Sequence, residues 1–299
     1  MAKLFRRSAS LVIQDRKVRG LDFEFRIERS LKPDQNTAEI TVYNLSEDTR
    51  KHIQDLAAKT GSTPVELHAG YAANALSGAA EDALSGIGLA GADSELPLVY
   101  KGQLRSLNIQ REGSDWILHL TSGDGDESRK RRIDFSLGPG ASLKSAIDKA
   151  LGELAIGIGN APQALGLGGL FGPLSQQFTH GTTLSGNAQD ELVRLLKSAG
   201  KEFSIQNGEA QILDAGKPLN TLAVILTEKT GLVGSPEIGE KNTIRFRSLL
   251  NPEIYPGRRL AVESEQTRGF FRCERATYLG QTAGGDWYVD GEGTAIGLG

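Results

Sequence analysis

The chain has 299 residues, of which 38% are hydrophobic and 24% charged, and its formal net charge is −3. This composition is ordinary for a soluble globular protein of two or three domains. The near-neutral charge excludes a chain-wide basic field of the kind that attracts nucleic acid. The single cysteine, Cys273, excludes an intrachain disulfide and a cysteine-rich zinc site.

Targeting and membrane signals are weak. The apolar part of the basic N-terminal stretch is too short for a signal peptide, and no apolar run approaches the roughly 20 residues that span a bilayer. One cysteine in 299 residues favours a reducing compartment. We therefore expect synthesis in the cytoplasm and no stable membrane insertion.

The N-terminal part of the chain has the alternation of β-strands. LDFEFRIERS (21–30) and TAEITVYNL (37–45) each alternate apolar and polar residues, which predicts an antiparallel hairpin across the loop at 31–36. The following SEDTRKHI predicts a helix with Ser46 as its N-cap, since a serine hydroxyl can accept a first-turn amide hydrogen.

Two further regions follow this hairpin. Residues 72–95 are rich in Ala, Gly and Ser, and we interpret them as a long insertion between strands. Residues 128–218 mix helices, predicted at 142–155 and 185–203, with a hairpin that turns at Asn207-Gly208. Between these helices a glycine-rich stretch is expected to lack regular structure. From 219 onward the chain is β again, and no exact internal repeat is visible.

Catalytic and metal-binding patterns are missing from the sequence. It contains no HExxH, GxSxG or phosphate-binding Gly-Lys-Ser/Thr motif. His119 is expected to be a solvent-facing or hydrogen-bonded strand residue, and His180 lies in a predicted loop. Asp124, Asp126 and Glu127 lack the further ligands of a calcium loop and predict a solvated turn. We therefore expect no catalytic, cofactor-binding or metal-binding residue, and no enzyme.

The search for catalytic and metal-binding patterns leaves one basic run and the single cysteine to be interpreted. The run Arg129–Arg132 favours a solvated junction between domains, and Cys273 favours a small packed side chain. An assembly or binding role is the reading that the residues favour. The alternatives are a β-rich hydrolase using His180 with nearby carboxylates, and a nucleic-acid-binding module using Arg129–Arg132.

Three blocks of sequence, in the same order, resemble the hub proteins of phage baseplates. They are LDFEFRIERSLKPDQNTAEITVYNLSEDTRKHI, then SGNAQDELVRLLKSAGKEFSIQNGEAQIL, then LLNPEIYPGRRLAVESEQTRGFFRCERATYLGQTAGGDWYVDGEG. The family includes the late control D proteins, the T-even-type hub and the hub part of type VI secretion spikes. Contractile and flexible-tailed phages both use such hubs.

The resemblance implies a fold that is mainly β with a smaller α/β part. It implies two tail-tube-like β-barrels: residues 1–127, with the insertion at 72–95, and residues 219–299. A mixed α/β domain at 128–218 would be inserted between them. In contrast to some members of the family, we expect no appended lysozyme or peptidase segment, so digestion of the cell wall would fall to other proteins.

The resemblance also implies a function in the virion. Three chains would form a ring of six barrels that adapts the sixfold tail tube to the threefold central spike and leaves a channel for DNA. The partners would be the chain itself as a homotrimer, the tail tube or its initiator, the spike and neighbouring baseplate proteins, with no specific binding of DNA. We expect open barrel edges to pair with neighbours, and we predict further partner contacts at Ala79, Leu84, Ile87, Leu89 and Leu96.

Overall fold

A computed structural model describes residues 7–32, 36–58, 62–71, 96–166 and 172–297 of the chain. The prediction of a mainly β protein with a smaller α/β part is confirmed. None of the described helices is both long and apolar enough to cross a lipid bilayer.

The elements of the first part of the chain are mostly strands. They are β1 (Arg7–Ile13), β2 (Arg16–Arg19), β3 (Phe23–Ser30), β4 (Thr37–Tyr43), α1 (Glu47–Ala58), β5 (Pro64–Tyr71), β6 (Leu98–Glu112) and β7 (Asp115–Gly123).

The middle of the chain alternates helices and strands. Its elements are α2 (Asp126–Lys130), β8 (Arg132–Leu137), α3 (Leu143–Glu153), α4 (Ala161–Leu165), a 3-10 turn (Pro173–Ser175), β9 (Thr182–Asn187), α5 (Ala188–Ser198), β10 (Lys201–Gln206) and β11 (Glu209–Asp214).

The last part is again built of strands. Its elements are β12 (Val224–Leu226), a 3-10 turn (Glu228–Thr230), β13 (Leu232–Ile238), a 3-10 turn (Glu240–Asn242), β14 (Thr243–Leu249), β15 (Arg259–Glu263), β16 (Arg268–Gln281) and β17 (Trp287–Ala295).

One 13-stranded sheet unites the first and last parts of the chain. Its strand order is β13-β14-β17-β16-β3-β4-β7-β6-β5-β1-β2, and β12 and β15 branch from β16. The two parts are joined where β16 pairs antiparallel with β3. Among the described residues this path has two ends that do not pair with each other, so closed barrels stay a prediction.

The sheet contains an internal repeat of topology, although the sequence shows no exact repeat. The spatial order β3-β4-β7-β6-β5, the first repeat, recurs as β13-β14-β17-β16-β15, the second repeat. Both hairpins β6–β7 and β16–β17 place a tryptophan after an aspartate at the start of the return strand. The carbonyl of Trp116 accepts from the amide of Asn44 at 2.7 Å, and that of Trp287 accepts from Leu250 at 3.0 Å. The two repeats therefore share a topology and a local hydrogen bond.

The large sheet packs around one hydrophobic core to which both repeats contribute. Its largest buried side chains include Phe23, Tyr278 and Trp287. Helix α1 covers this core with Ile53 and Leu56, and each such buried side chain contributes about 1.5–3 kcal/mol. The predicted N-cap of α1 is confirmed, because the Ser46 hydroxyl accepts from the amide of Thr49 at 3.4 Å.

The α/β segment, residues 132–214, has a second core of its own. It contains the two-stranded sheets β8–β9 and β10–β11, with α3 and α5 packed between them and buried residues from all of these elements. Helix α5 begins later than predicted, since β9 continues to Asn187 and that side chain caps the helix by accepting from Gln189 and Asp190. The predicted hairpin turn is confirmed, with φ of 57° at Asn207 and 77° at Gly208.

The prediction of no regular structure in the glycine-rich stretch was wrong. Helix α4 forms there and buries Ala161 and Leu165. Gly159 makes this packing possible, because a Cβ at that position would lie 2.0 Å from the carbonyl oxygen of Ala210. Glycine here permits a close backbone approach and does not mark a loop.

The predicted solvated turn at SGDGDES is also wrong for Asp124, which is 3% exposed. Its carboxylate accepts from the backbone amides of Asn207 at 2.7 Å and Gly208 at 2.8 Å, and from the Asn36 side chain at 3.4 Å. Burial raises the pKa of Asp124, while these hydrogen bonds and the charge of Arg29 oppose the rise. Asp124 thus fixes the tip of the β10–β11 hairpin to the large sheet.

A buried guanidinium completes this junction. Arg29 donates to the Gln206 side-chain oxygen at 3.1 and 3.2 Å and to the carbonyl of Val99 at 3.0 Å. The amide of Gln206 in turn donates to the carbonyl of Ser30 at 2.8 Å. A buried donor or acceptor that loses its hydrogen-bond partner costs free energy, because water cannot replace the partner. A shift of the α/β segment would break these bonds, so the junction holds the segment in one position.

We expect Asp124→Ala to lower the free energy of unfolding by about 2–4 kcal/mol, since two buried amides and Asn36 lose their acceptor. Denaturant unfolding would measure the change. The matched control Asp55→Ala, at an exposed position of α1, should stay within about 0.5 kcal/mol of the wild type. Equal effects of the two substitutions would contradict the role given to the junction.

Candidate functional site: the polar face of the large sheet

The two sides of the large sheet differ in chemistry because successive side chains of a strand point to opposite faces. One side packs on the core, and the other, the polar face, runs from the second repeat across β16 and β3 into the first. The registers also place Leu279, Tyr288 and Ile117 on this face. Its polar side chains include Arg245, Arg247, Asp290, Glu292, Arg275, Thr277, Glu24, Arg26, Glu28, Glu39, Thr41, Tyr43, His119, Thr121, Ser106, Asn108 and Gln110.

The part of the polar face in the second repeat is a ladder of ion pairs between neighbouring strands. Arg247 makes a bidentate pair with Asp290 at 2.6 and 2.7 Å, and Arg245 lies 3.1 Å from Glu292. The hydrogen bonds that Arg247 donates to Asp290 raise the pKa of Arg247. Each exposed pair contributes at most about 1 kcal/mol, so this ladder matters more for the charge that the face presents than for stability.

The ladder continues across the β16–β3 pairing that joins the two repeats. Glu28 of β3 accepts from Arg275 of β16 at 3.2 Å and from Arg26 of its own strand at 2.7 Å. All four arginines of the polar face therefore have a carboxylate partner within 3.2 Å.

The part of the polar face in the first repeat carries mainly neutral groups. The hydroxyls of Ser106 and Thr121 lie 2.7 Å apart. His119 Nδ1 lies 3.1 Å from the Thr41 hydroxyl, which confirms the prediction of a hydrogen-bonded strand histidine. Hydroxyl, amide and imidazole groups of this kind form hydrogen bonds with water.

The polar face is concave over β13, β14, β17, β16 and β3. A cleft of about 530 Å³ lies there, lined by the charged side chains of the ladder and by Val233, Ser235 and Glu237 of β13. Guanidinium groups neutralised by carboxylates contribute little net attraction for phosphate.

Of the predicted interface residues, one lies in the part of the chain that the structure describes. Leu96 is half-buried before β6, whereas Ala79, Leu84, Ile87 and Leu89 lie outside the described residues, and so does the rest of the 72–95 insertion. These interface residues stay a prediction.

The residues named for a hydrolase or for a nucleic-acid-binding module are mostly exposed. His180 is exposed in the turn before β9, and Lys130, Arg131 and Arg132 are exposed between α2 and β8. Among the described residues no group of three or more histidine, cysteine or acidic side chains could hold a metal ion. Cys273 is buried as predicted.

The polar face itself was missed by sequence reasoning. A usable signal was present, because Arg245 and Arg247 alternate in one strand while Asp290 and Glu292 alternate in another. Only the registration of β14 against β17 shows that the two charged rows face each other.

We expect Asp290→Asn with Glu292→Gln to raise the affinity for duplex DNA about tenfold at low salt, since two arginines lose their neutralising partners. Fluorescence anisotropy with a labelled duplex at several salt concentrations would measure it. The control Glu47→Gln with Asp55→Asn makes the same change of charge on α1, and an equal gain there would contradict a special role of the polar face.

Comparison with known proteins establishes the fold. No protein-family model and no curated protein matches the chain. A tail protein from Neisseria meningitidis MC58 superposes with a TM-score of 0.61 at 8% identity, covering 98% of each chain. The 43 kDa tail protein of prophage MuSo2 from Shewanella oneidensis gives 0.59 at 10% identity, covering 97% of this chain and 98% of that one.

A third similar structure comes from a secretion machine. The E. coli protein c3393, described as a component of the type VI secretion system with structural similarity to T4 bacteriophage tail proteins gp27 and gp5, gives 0.54 at 8% identity. The match covers 96% of this chain and 77% of that one. The chain thus has a fold that is found in phage tail proteins and in a type VI secretion component.

Proposed function

We propose that the chain is a structural protein of a phage tail and acts as its baseplate hub, not as an enzyme. Three copies form a ring that adapts the sixfold tail tube to the threefold central spike. The observation that carries the proposal is the internal repeat: two units of one topology lie side by side in one sheet. Three chains would present six such units.

The polar face is the wall of the channel in this proposal. It runs across both repeats, it is concave over the second, and its four arginines are paired with carboxylates. A wall with free guanidinium groups would hold DNA by its phosphates. A neutralised wall lets DNA pass without specific binding.

The proposal keeps the domain limits expected from the sequence. Residues 1–127 and 219–299 form two tube-like barrels, which the ring would close, and residues 128–218 form an α/β domain between them. The separate hydrophobic core of the α/β segment supports this inserted domain. The partners are the tail tube or its initiator, the central spike and neighbouring baseplate proteins.

The location of the protein follows from these partners. It would be made in the host cytoplasm and become part of the virion at the baseplate. The fold shared with two tail proteins and with a type VI component of gp27-like and gp5-like structure supports this placement. A contact of Leu96 with a partner remains part of the proposal.

We expect the purified protein to reach a mass of about 96 kDa at high concentration, which is three times the chain mass of 32.0 kDa. Light scattering coupled to size exclusion, over a range of protein concentrations, would measure it. Electron microscopy of the same fractions should show rings with a central opening.

A stable dimer, or a monomer at every concentration and also in the presence of purified tube and spike proteins, would contradict the trimeric hub.

A further inference from the structure

We propose that the ring is closed by strand pairing between copies: the edge strand β13 of one copy adds antiparallel to residues 106–112 of β6 in the next. This inference rests on the proposed function for the ring itself. It names the two strand edges that meet and the register in which they pair, and it follows from comparing the two repeats strand by strand.

The first step is how β16 is used within one chain. Its first half, Arg268–Arg272, pairs with β15, and its second half, Arg275–Gln281, pairs with β3 of the first repeat. A bulge between Cys273 and Arg275 separates the two halves. The second half of this long strand is therefore the place where one repeat receives the first strand of the other.

The second step is that β6, the equivalent strand, has the same design, but no described strand pairs with the corresponding part. Its first part pairs with β5 between Leu98 and Gln103, and a bulge lies between Leu104 and Ser106. Beyond the bulge, residues 106–112 pair with β7 on one side. No strand of the described chain pairs with the other side, and an unpaired strand edge is a template for a further strand.

The third step is that the second repeat has an unpaired copy of the strand that fits this edge. Strand β13 stands to β14 as β3 stands to β4, and it forms one end of the sheet. In β3, Arg26 lies opposite Glu39. In β13, Glu237 lies opposite Arg245, the residue of β14 that corresponds to Glu39.

The correspondence makes Ile238 the counterpart of Ile27, and their exposures differ sharply. Ile27 is fully buried at 0%, whereas Ile238 is 69% exposed. Ile27 lies opposite Tyr278 of β16. Among the described strands none lies opposite Ile238 on that side of β13. An exposed apolar side chain at such an edge is typical of an interaction surface.

We call the proposed pairing of β13 with residues 106–112 of β6 in the next copy the seam. Its register follows from the same alignment. Counted from the bulges, Ile109 of β6 corresponds to Tyr278 of β16, and both lie opposite equivalent residues of β7 and β17. Ile238 of one copy then meets the half-buried Ile109 of the next on the core side. Glu237 meets Gln110 on the other side, so the polar face continues from copy to copy.

One feature of β13 limits the length of this seam. Its pairing with β14 shifts between Val233 and Glu237, where β3 has no such irregularity. We therefore expect pairing at Glu237–Gly239 and again near Val233. Each copy carries one β13 edge and one β6 edge, so the contact is head-to-tail and can close into a ring.

The test is a chain with Ile109→Cys and Ile238→Cys, oxidised at concentrations where light scattering shows association. The natural Cys273 should not interfere, because it is buried and burial raises its pKa to about 12. We expect disulfide-linked dimers and trimers on a non-reducing gel. The matched control, Ile158→Cys with Ile238→Cys, joins β13 to an exposed position of the α/β segment and should give less than a tenth of this product.

A second variant tests the seam without a new bond. Ile238→Asp should weaken association at least tenfold, whereas Ile158→Asp, at a residue that is 65% exposed elsewhere, should leave it unchanged. Association without cross-linking of 109 to 238, and unaffected by Ile238→Asp, would overturn the seam and leave the ring standing. A chain that never associates would overturn the proposed ring and the seam together.

Discussion

The antiparallel pairing of β3 with β16 is the contact on which the rest of the structure depends. It joins residues 24–30 to residues 275–281, which are about 250 positions apart along the chain. Closing so long a loop costs only a few kcal/mol more than closing a short one, because this entropy grows with the logarithm of loop length. In return two repeats become one sheet, with one core on one side and one polar face on the other.

The α/β segment is tied to this sheet by polar groups instead of by a shared core. Asp124 and Arg29 are both buried; Asp124 accepts from two backbone amides of the α/β segment, and Arg29 donates to Gln206 of that segment as well as to the carbonyl of Val99 in the sheet. Apolar contacts would tolerate small shifts, but a carboxylate that accepts two amides at 2.7 and 2.8 Å fixes a single docking position.

Local patterns predicted most of the secondary structure, and the long-range arrangement could not be predicted. The alternation in β3 and β4, the cap at Ser46 and the Asn207-Gly208 turn depend on neighbours in sequence, so they were visible there. The burial of Asp124 depends on a hairpin more than 80 residues later. The internal repeat is not visible as a sequence repeat, because the two units share a topology and little sequence beyond an Asp-Trp pair. Two similar units were implied only by the resemblance to hub proteins.

The difference between Ile27 and Ile238 carries the last step from fold to assembly. Both occupy the same place in their repeats, and both are apolar at positions that face the core. An isolated chain gains nothing from an exposed isoleucine at a sheet edge, and such an edge promotes unwanted association. Ile238 would be covered if a side chain of another copy lay opposite it, as Tyr278 lies opposite Ile27 within the chain. The pairing that joins the two repeats would then also join the subunits, so that one kind of strand contact builds the whole ring.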